Sequence, residues 1–546
     1  MIIFASFLTA WLVGITSMPV MAHWAFRLGL IDLPDARKTH VGAVPRVGGL
    51  GITLGIVVAL LIWCPLDTSF VAVLLGGVLL AGFGVWDDAK SLSPKIKLLG
   101  QTLAALIAVL GGGVVIRVLP LGAMIDLPTV VAVPFTVFVL VGITNAINLL
   151  DGLDGLAGGV SLLCAVSLAL LAADSGSSNL FIASVAMIGA VLGFLRYNTY
   201  PAQIFMGDCG SQFLGYMVAC LAILLTQTQE AVLSRSLPIL LLGLPVLDTL
   251  TVMIRRIAAG NSPFSPDRTH IHHRLLSLGL SHAGSVTILY GLQTVLVFLA
   301  FGLRYSPDST IIAVYLSVAA TVVFLLESSV GSTVAAQSLA PINRGVTALA
   351  TGEPNTGLAH CKAEEVRTWA NLPLALVMAV YLLMAGLVSP RIPNDLGWVV
   401  TTLLVSWVAI YGWQYRDSLG LISRLVGYLS FAAAAYLFYT DAELPVALEV
   451  WGVIFFLLLV IGLAIAFVFH DSENFRVTPL DLLVIALVVG TNIFGFFSQP
   501  MGYVISQSIL LYYGYEWVQS SHRESKLVNT SILLFMLIII GRWLLQ

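Results

Sequence analysis

Residues 129–159 read TVVAVPFTVFVLVGITNAINLLDGLDGLAGG. The first part is an uncharged run of about twenty residues, long enough as a helix to cross a ~30 Å hydrocarbon layer. It closes on polar groups at every third position, Asn145, Asn148, Asp151 and Asp154, with Gly152, Gly155, Gly158 and Gly159 between and after them. Three-residue spacing keeps helical neighbours close, so these groups are expected to end the span on one inward face. The glycines let a ligand or a second helix approach the backbone. A plain glycine-rich turn between helices accounts for the glycines but not for four carboxylate or amide groups at a fixed interval.

Similar runs recur from end to end of the 546-residue chain, which is 59% apolar and 10% charged with a mean hydropathy of +0.99. A soluble domain carries roughly 25% charged residues, so the fold class expected is all-α and polytopic, an integral membrane protein. Breaking the runs at polar clusters gives about eighteen spans. The formal charge of −3 and the scattered Lys and Arg residues exclude a basic nucleic-acid binder. The continuous rather than alternating runs exclude an outer-membrane barrel. Cys64, Cys164, Cys209, Cys220 and Cys361 form no CxxC pair and read as packing residues. The run from Ile2 to Met21 lacks a basic leader, its first positive charge being Arg27. It is expected to remain as a span with the N-terminus outside.

With that N-terminus the loops alternate, and every Lys and Arg falls inside except Arg117, Arg235, Arg304, Arg391 and Arg542. Up to residue 320 the inner loops hold Asp32, Asp35, Asp87, Asp88, Asp151, Asp154, Asp208, Asp248 and Asp267, and no Glu. A merely solvated face uses Glu as freely as Asp. Short carboxylates with few rotamers suit a pre-organised cation and phosphate site.

Four other inner loops join the one quoted above. DLPDARKTHVGAVPRVGGLG offers Lys38 and Arg46 to a lipid phosphate or to headgroups. In FGVWDDAKSLSPKIKLLGQ, adjacent Asp87 and Asp88 repel and need a metal or Lys97 to hold both ionised. RYNTYPAQIFMGDCGSQFLG places Asp208 near the expected start of a span, where it serves a site or a helix cap, with Phe205 three residues earlier to stack or pack. MIRRIAAGNSPFSPDRTHIHHRLLSLGLSH gathers Arg268, His270, His272 and His273, a donor density that suits a diphosphate better than a zinc ion.

DLPDARKTH with PRVGG, DDAKSLSPKIKLLGQ, NAINLLDGLDGLAGG, IFMGDCGSQFLG and PDRTHIHHRL, in this order, resemble the polyprenyl-phosphate N-acetylhexosamine-1-phosphate transferase family over roughly residues 1–325. The PDRTHIHHRL form is similar to the bacterial undecaprenyl-phosphate N-acetylglucosamine-1-phosphate transferases, with the muramyl-pentapeptide branch as second choice. The resemblance implies transfer of a sugar phosphate from a UDP-N-acetylhexosamine, UDP-GlcNAc first, to undecaprenyl phosphate at the cytoplasmic leaflet of the bacterial inner membrane. It implies release of UMP, a need for Mg²⁺ or Mn²⁺, a homodimer, and initiation of a surface glycan such as O-antigen. It makes Asp208 the leading metal ligand and Asn148 the second. Asp87 and Asp88 match acids beside the lipid phosphate, Lys97 a lysine near the transferring phosphates, and Phe205 and Asp154 the lining of a uridine pocket. Arg268, His270, His272 and His273 match the loop around diphosphate and sugar. Asp151 completes the catalytic set with Asp87, Asp88, Lys97 and Asp154, while Lys38, Arg46, Asn145 and Asn148 complete the substrate-binding set.

The expected organisation is a transferase domain of about eleven spans over residues 1–326, a polar inner linker over 327–369, and about seven further spans over 370–546. The last part is open to docking a downstream glycosyltransferase or flippase. The rival class is a lipid or sugar transporter, which places ionisable groups near the bilayer midplane. Here almost all acids of the first half lie at span ends. Asp248, in LLLGLPVLDTLTVMIRR, is the main exception, fit either to serve the site or to bond a neighbouring helix.

Overall fold

A computed structural model describes residues 2–32, 42–121, 123–227, 233–262, 270–329, 359–389, 391–412, 416–439, 481, 484, 499–519 and 524–546. Among them the chain is helical but for two short antiparallel hairpins, and ten helices have the length and apolar composition to cross a membrane. The protein is an all-α polytopic membrane protein, as its composition predicts.

The chain forms two compact units, residues 1–343 and 344–546. The first contains α1 (Ile2–Leu28), α2 (Gly48–Trp63), α3 (Thr68–Lys90), α4 (Pro94–Leu106, extended by a π turn Ile107–Gly111), α5 (Thr129–Leu150), α6 (Leu156–Asp174) and α7 (Ser178–Asn198). It continues with α8 (Gly207–Thr226), α9 (Leu237–Leu241), α10 (Gly243–Ala258), α11 (Ile271–Ser277), α12 (His282–Gly302) and α13 (Asp308–Ser329). In the second unit lie α14 (Ala359–Val388), α15 (Asn394–Gly412), α16 (Arg416–Tyr439), α17 (Gln499–Gln519) and α18 (Glu524–Leu544). Within the stretch read as a polar linker, α13 runs on to Ser329 and α14 starts at Ala359, where Ala, Lys, Glu and Arg favour helix.

α6 and α8 are buried along almost their whole length and form the centre of the first unit. The first turn of α8, GDCGS, is built of small residues, which lets neighbouring helices come close. A Cβ on Gly84 of α3 would lie 2.4 Å from Cys209 Cα, so only glycine allows the end of α3 to rest on the start of α8. Gly207 opens α8 with φ of +72°, a conformation that costs glycine nothing.

α9 and α10 are one apolar segment interrupted at Leu242. The cause is Pro245, which has no N–H to give to the carbonyl four residues earlier. That carbonyl, on Leu241, instead accepts from Gln293 Nε2 of α12 at 2.7 Å, while Gln293 Oε1 accepts from Leu244 N at 3.2 Å. A single buried amide satisfies both sides of the break.

α5 ends at Leu150, so the three-residue interval is helical only for Asn145 and Asn148, while Asp151 and Asp154 lie in the turn before α6. The chain direction alternates from helix to helix. It therefore brings the end of α3, the start of α4, the end of α5, the turn before α6 and the start of α8 to one end of the bundle.

Candidate functional site

The site begins where α3 ends. Adjacent helical residues point about 100° apart, and Asp87 and Asp88 take different partners. Asp87 is ion-paired with Lys97, one turn into α4, and its Oδ1 accepts from Leu92 N at 2.5 Å. Asp88 reaches across to α8, accepting from Asp208 N at 2.9 Å and Cys209 N at 3.1 Å. Those two amides have no acceptor within their own helix, so Asp88 caps α8 from a neighbour and places its charge at the positive end of the helix dipole.

Lys97 Nζ also lies 2.7 Å from Asp208 Oδ2, so one ammonium bridges Asp87 and Asp208. Asp208 Oδ1 accepts from Asn148 Nδ2 at 2.8 Å, and the same Nδ2 reaches Ser211 Oγ at 2.8 Å. Beneath lies a layer of amides. Gln101 and Asn145 donate to each other at 3.2 and 2.7 Å, and Gln101 donates to Gln212 at 3.2 Å. Asn145, read from the sequence as substrate-binding, is thus engaged in a network that fixes α4, α5 and α8 against one another.

Asp151 stands beside this cluster. Desolvation, with the negative charges of Asp208, Asp88 and Asp154, pushes its carboxyl up to about 7, the positive charge of Arg46 acting the other way. Arg46 itself is ion-paired with Asp32, on the hairpin made by Ile31–Asp32 and Val44–Pro45. The backbone of Phe205 joins that hairpin, its N–H donating to Pro45 O at 2.8 Å and its carbonyl accepting from Gly48 N at 3.0 Å.

Asp154 faces a second cluster. Its Oδ2 accepts from Ala202 N at 3.0 Å and its own N–H donates to His282 Nε2 at 3.1 Å. Gly155 N donates to Asn198 Oδ1 at 2.9 Å and Gly155 O accepts from Tyr290 OH at 2.6 Å, so the turn before α6 is held by α7 and α12. His270, His272 and His273 follow one another in ring contact at 5.8 and 4.2 Å. Burial, reinforced by the neighbouring His273, lowers His272 to about 4, so it is a neutral donor and acceptor at pH 7 rather than a cation. Lys38 and Arg268 lie outside the described residues.

Sequence reasoning did not single out Gln101, Ser211 or Gln212 for the site, nor fix the partners of His282 and Asp248. A signal for Asp248 exists, since it is the one carboxylate in an apolar run, which in a membrane helix marks a bonded position. His282 closes the histidine-rich loop quoted above, but its partner Asp154 is 128 residues away and no spacing identifies it.

Hard oxygen donors and a shared ammonium suit a divalent cation. Two carboxylates aimed at one positive group define a place for positive charge, and Asp208 with Asn148 supplies oxygens of the type Mg²⁺ prefers. Among the described residues no three His, Cys, Asp or Glu side chains gather into a cage.

Comparison with known proteins gives the class. The profile of glycosyl transferase family 4 matches residues 70–226, which span α3 to α8 and include Asp87, Asp88, Lys97, Asn148, Asp151, Asp154 and Asp208. A probable undecaprenyl-phosphate N-acetylglucosaminyl 1-phosphate transferase of Bacillus subtilis is 38% identical over 300 residues, 53% of this chain and 81% of the relative. A decaprenyl-phosphate N-acetylglucosaminephosphotransferase of Mycobacterium tuberculosis is 36% identical over 318 residues, 52% of this chain and 79% of the relative. An undecaprenyl-phosphate alpha-N-acetylglucosaminyl 1-phosphate transferase of Escherichia coli K12 is 30% identical over 306 residues, 54% of this chain and 82% of the relative. The chain therefore belongs to the polyprenyl-phosphate sugar-1-phosphate transferases of glycosyl transferase family 4. The C-terminal extension lies beyond what these relatives cover.

Proposed function

We propose that the protein transfers N-acetylglucosamine-1-phosphate from UDP-GlcNAc to undecaprenyl phosphate, giving undecaprenyl-diphosphate-GlcNAc and UMP, in the first step of a surface glycan such as O-antigen. The bias of Lys and Arg residues to one set of loops supports a site on the cytoplasmic face and a periplasmic N-terminus. Residues 1–326 are the transferase, and residues 370–546 an accessory membrane module.

The observation that carries this reading is the Lys97 ammonium held between Asp87 and Asp208 at the capped start of α8. A phosphate oxygen of the lipid forms a bond to the β-phosphorus of the UDP-sugar. The bond from that phosphorus to the bridging oxygen breaks, and its electron pair leaves on UMP. One pyrophosphate linkage replaces another, so the protein contributes chiefly alignment and charge neutralisation. A phosphomonoester with a second pKa near ~6 is largely ionised at pH 7 and gains little from a general base. Asp87 accordingly orients Lys97, and Asp88 fixes the start of α8 on which Asp208 is carried. Asp208 and Asn148 would hold the divalent cation, which would supply charge neutralisation at phosphate oxygens of the donor. Lys97 supplies the one positive charge that the protein itself places between these carboxylates.

The test incubates the purified protein in detergent with undecaprenyl phosphate, Mg²⁺ and radiolabelled UDP-GlcNAc, UDP-GalNAc or UDP-MurNAc-pentapeptide in parallel. The expected result is lipid-linked label from UDP-GlcNAc, abolished by EDTA and by Asp208→Ala. Label from another donor alone would replace the sugar. No product from any donor, in folded protein, would move the transporter reading to the front.

A further inference from the structure

α10 carries a single carboxylate, Asp248, and it is fully buried. A buried carboxylate needs partners, and both come from the segment that opens α11. Asp248 Oδ2 lies 2.8 Å from His270 Nδ1, and Oδ1 accepts the Ile271 N–H at 2.7 Å. One side chain thus holds a ring and the adjoining backbone. With a carboxylate at Nδ1 the proton of the neutral ring stays on that nitrogen, and Nε2 is left for other chemistry.

The contact continues outward. The His270 ring lies 5.8 Å from that of His272 at an interplanar angle of 15°. His272 in turn rests on the turn before α6, where a Cβ on Gly152 would meet its Nε2 at 2.5 Å. The Asp151–Gly155 turn and the histidine segment are therefore seated on one another, and the seat is anchored at Asp248. His272 Nδ1 is buried and has no hydrogen-bond partner among the described residues, as expected of a segment built to meet a polar ligand. The direction of α10 is set by the break at Leu242 and its two hydrogen bonds to Gln293, four to seven residues before Asp248.

We infer that Asp248 is a positioning residue of the transferase: it fixes the tautomer of His270 and seats residues 270–273 against the turn that carries Asp151 and Asp154. This rests on the function proposed above and adds to it a residue that works through another.

Two variants separate this role from a merely structural one. Asp248→Asn keeps the shape and an acceptor for the Ile271 N–H but turns an amide N–H group towards His270, reversing its tautomer. Asp248→Ala removes both partners. Hydrogen exchange of the peptide covering 270–277 is expected to speed up at least about tenfold in Asp248→Ala and to stay near wild type in Asp248→Asn. Turnover with UDP-GlcNAc is expected to fall at least about tenfold in Asp248→Asn, with KM within about threefold. In a His270→Ala background the same change should alter kcat less than about twofold, because the two residues act as a unit. Unchanged exchange in Asp248→Ala, wild-type turnover in Asp248→Asn, or losses that simply multiply with His270→Ala would each overturn the inference. A wild-type protein that makes no lipid product from UDP-GlcNAc would instead overturn the proposed function, and the exchange result would still decide whether Asp248 holds the segment.

Discussion

The two ends of the first unit treat charge in opposite ways. At one end Asp174 takes Arg304 and the hydroxyl of Tyr305, Asp308 accepts from Ser236 N, and Asp67 caps α3 through Phe70 N. Each of these three acids has its own partner and stitches a loop or a helix start. At the other end Asp87 and Asp208 share Lys97, Asp88 caps the helix that carries Asp208, Asp151 lies close enough to feel Asp208, Asp88 and Asp154, and Arg46 is paired with Asp32. Within that cluster the carboxylates outnumber the ammonium and guanidinium groups paired with them among the described residues. Folding alone gains nothing from such a surplus, which repels itself. The difference separates acids that pair off singly from acids that crowd together, and the crowding is what the proposed function uses.

The contrast breaks most sharply at Lys97. Lys97→Gln removes the one ammonium between Asp87 and Asp208, and kcat is expected to fall about 10²- to 10³-fold, the size of losing a charged donor to a transferring phosphate. A loss under tenfold in the radiolabel assay would show that the surplus is satisfied from elsewhere.

Asp151 sharpens it through pH. Its carboxyl, raised to about 7, holds a proton in the folded protein that the unfolded chain releases near ~3.9. Between these values the folded state binds more protons, so stability falls as pH rises from about 4 to about 7 and levels off above. Asp151→Asn removes this loss. Its thermal unfolding in detergent without substrate is expected about 2 °C or more above wild type at pH 8, the gap closing towards pH 5. A gap of the same size at both pH values would locate the strain elsewhere.

The smallest effect is expected at the balanced end. Asp174→Asn weakens a solvent-facing pair with Arg304, worth at most ~1 kcal/mol of stability. Its kcat should stay within about twofold of wild type. A tenfold loss would mean that the two ends are coupled.

The membrane class and the apolar runs of the first unit were legible because hydropathy is a local property of twenty residues. So were Asp87, Asp88, Asn148 and Asp208, which stand at span ends in short, unusual patterns. The roles of the two adjacent acids were not, since Asp88 meets amides 120 and 121 residues further on and no spacing rule reaches that far. The three-residue interval misled in part, because a helix carries it through Asn145 and Asn148 and a turn carries it through Asp151 and Asp154. Asp248 was visible as an oddity in an apolar run. Its partners became identifiable only when the break at Pro245 and the return of the chain at His270 placed α10 beside α11.

The cap that α3 lends to α8 also sets a timetable. Asp88 leaves the ribosome 120 residues before Asp208, about 6–24 s earlier at ~5–20 residues per second. Throughout that interval its carboxylate has none of its final partners, and water at the membrane surface must stand in for them. The contact thus waits for α4 to α7 to be made, and a chain that ends between α3 and α8 lacks the amides that Asp88 caps.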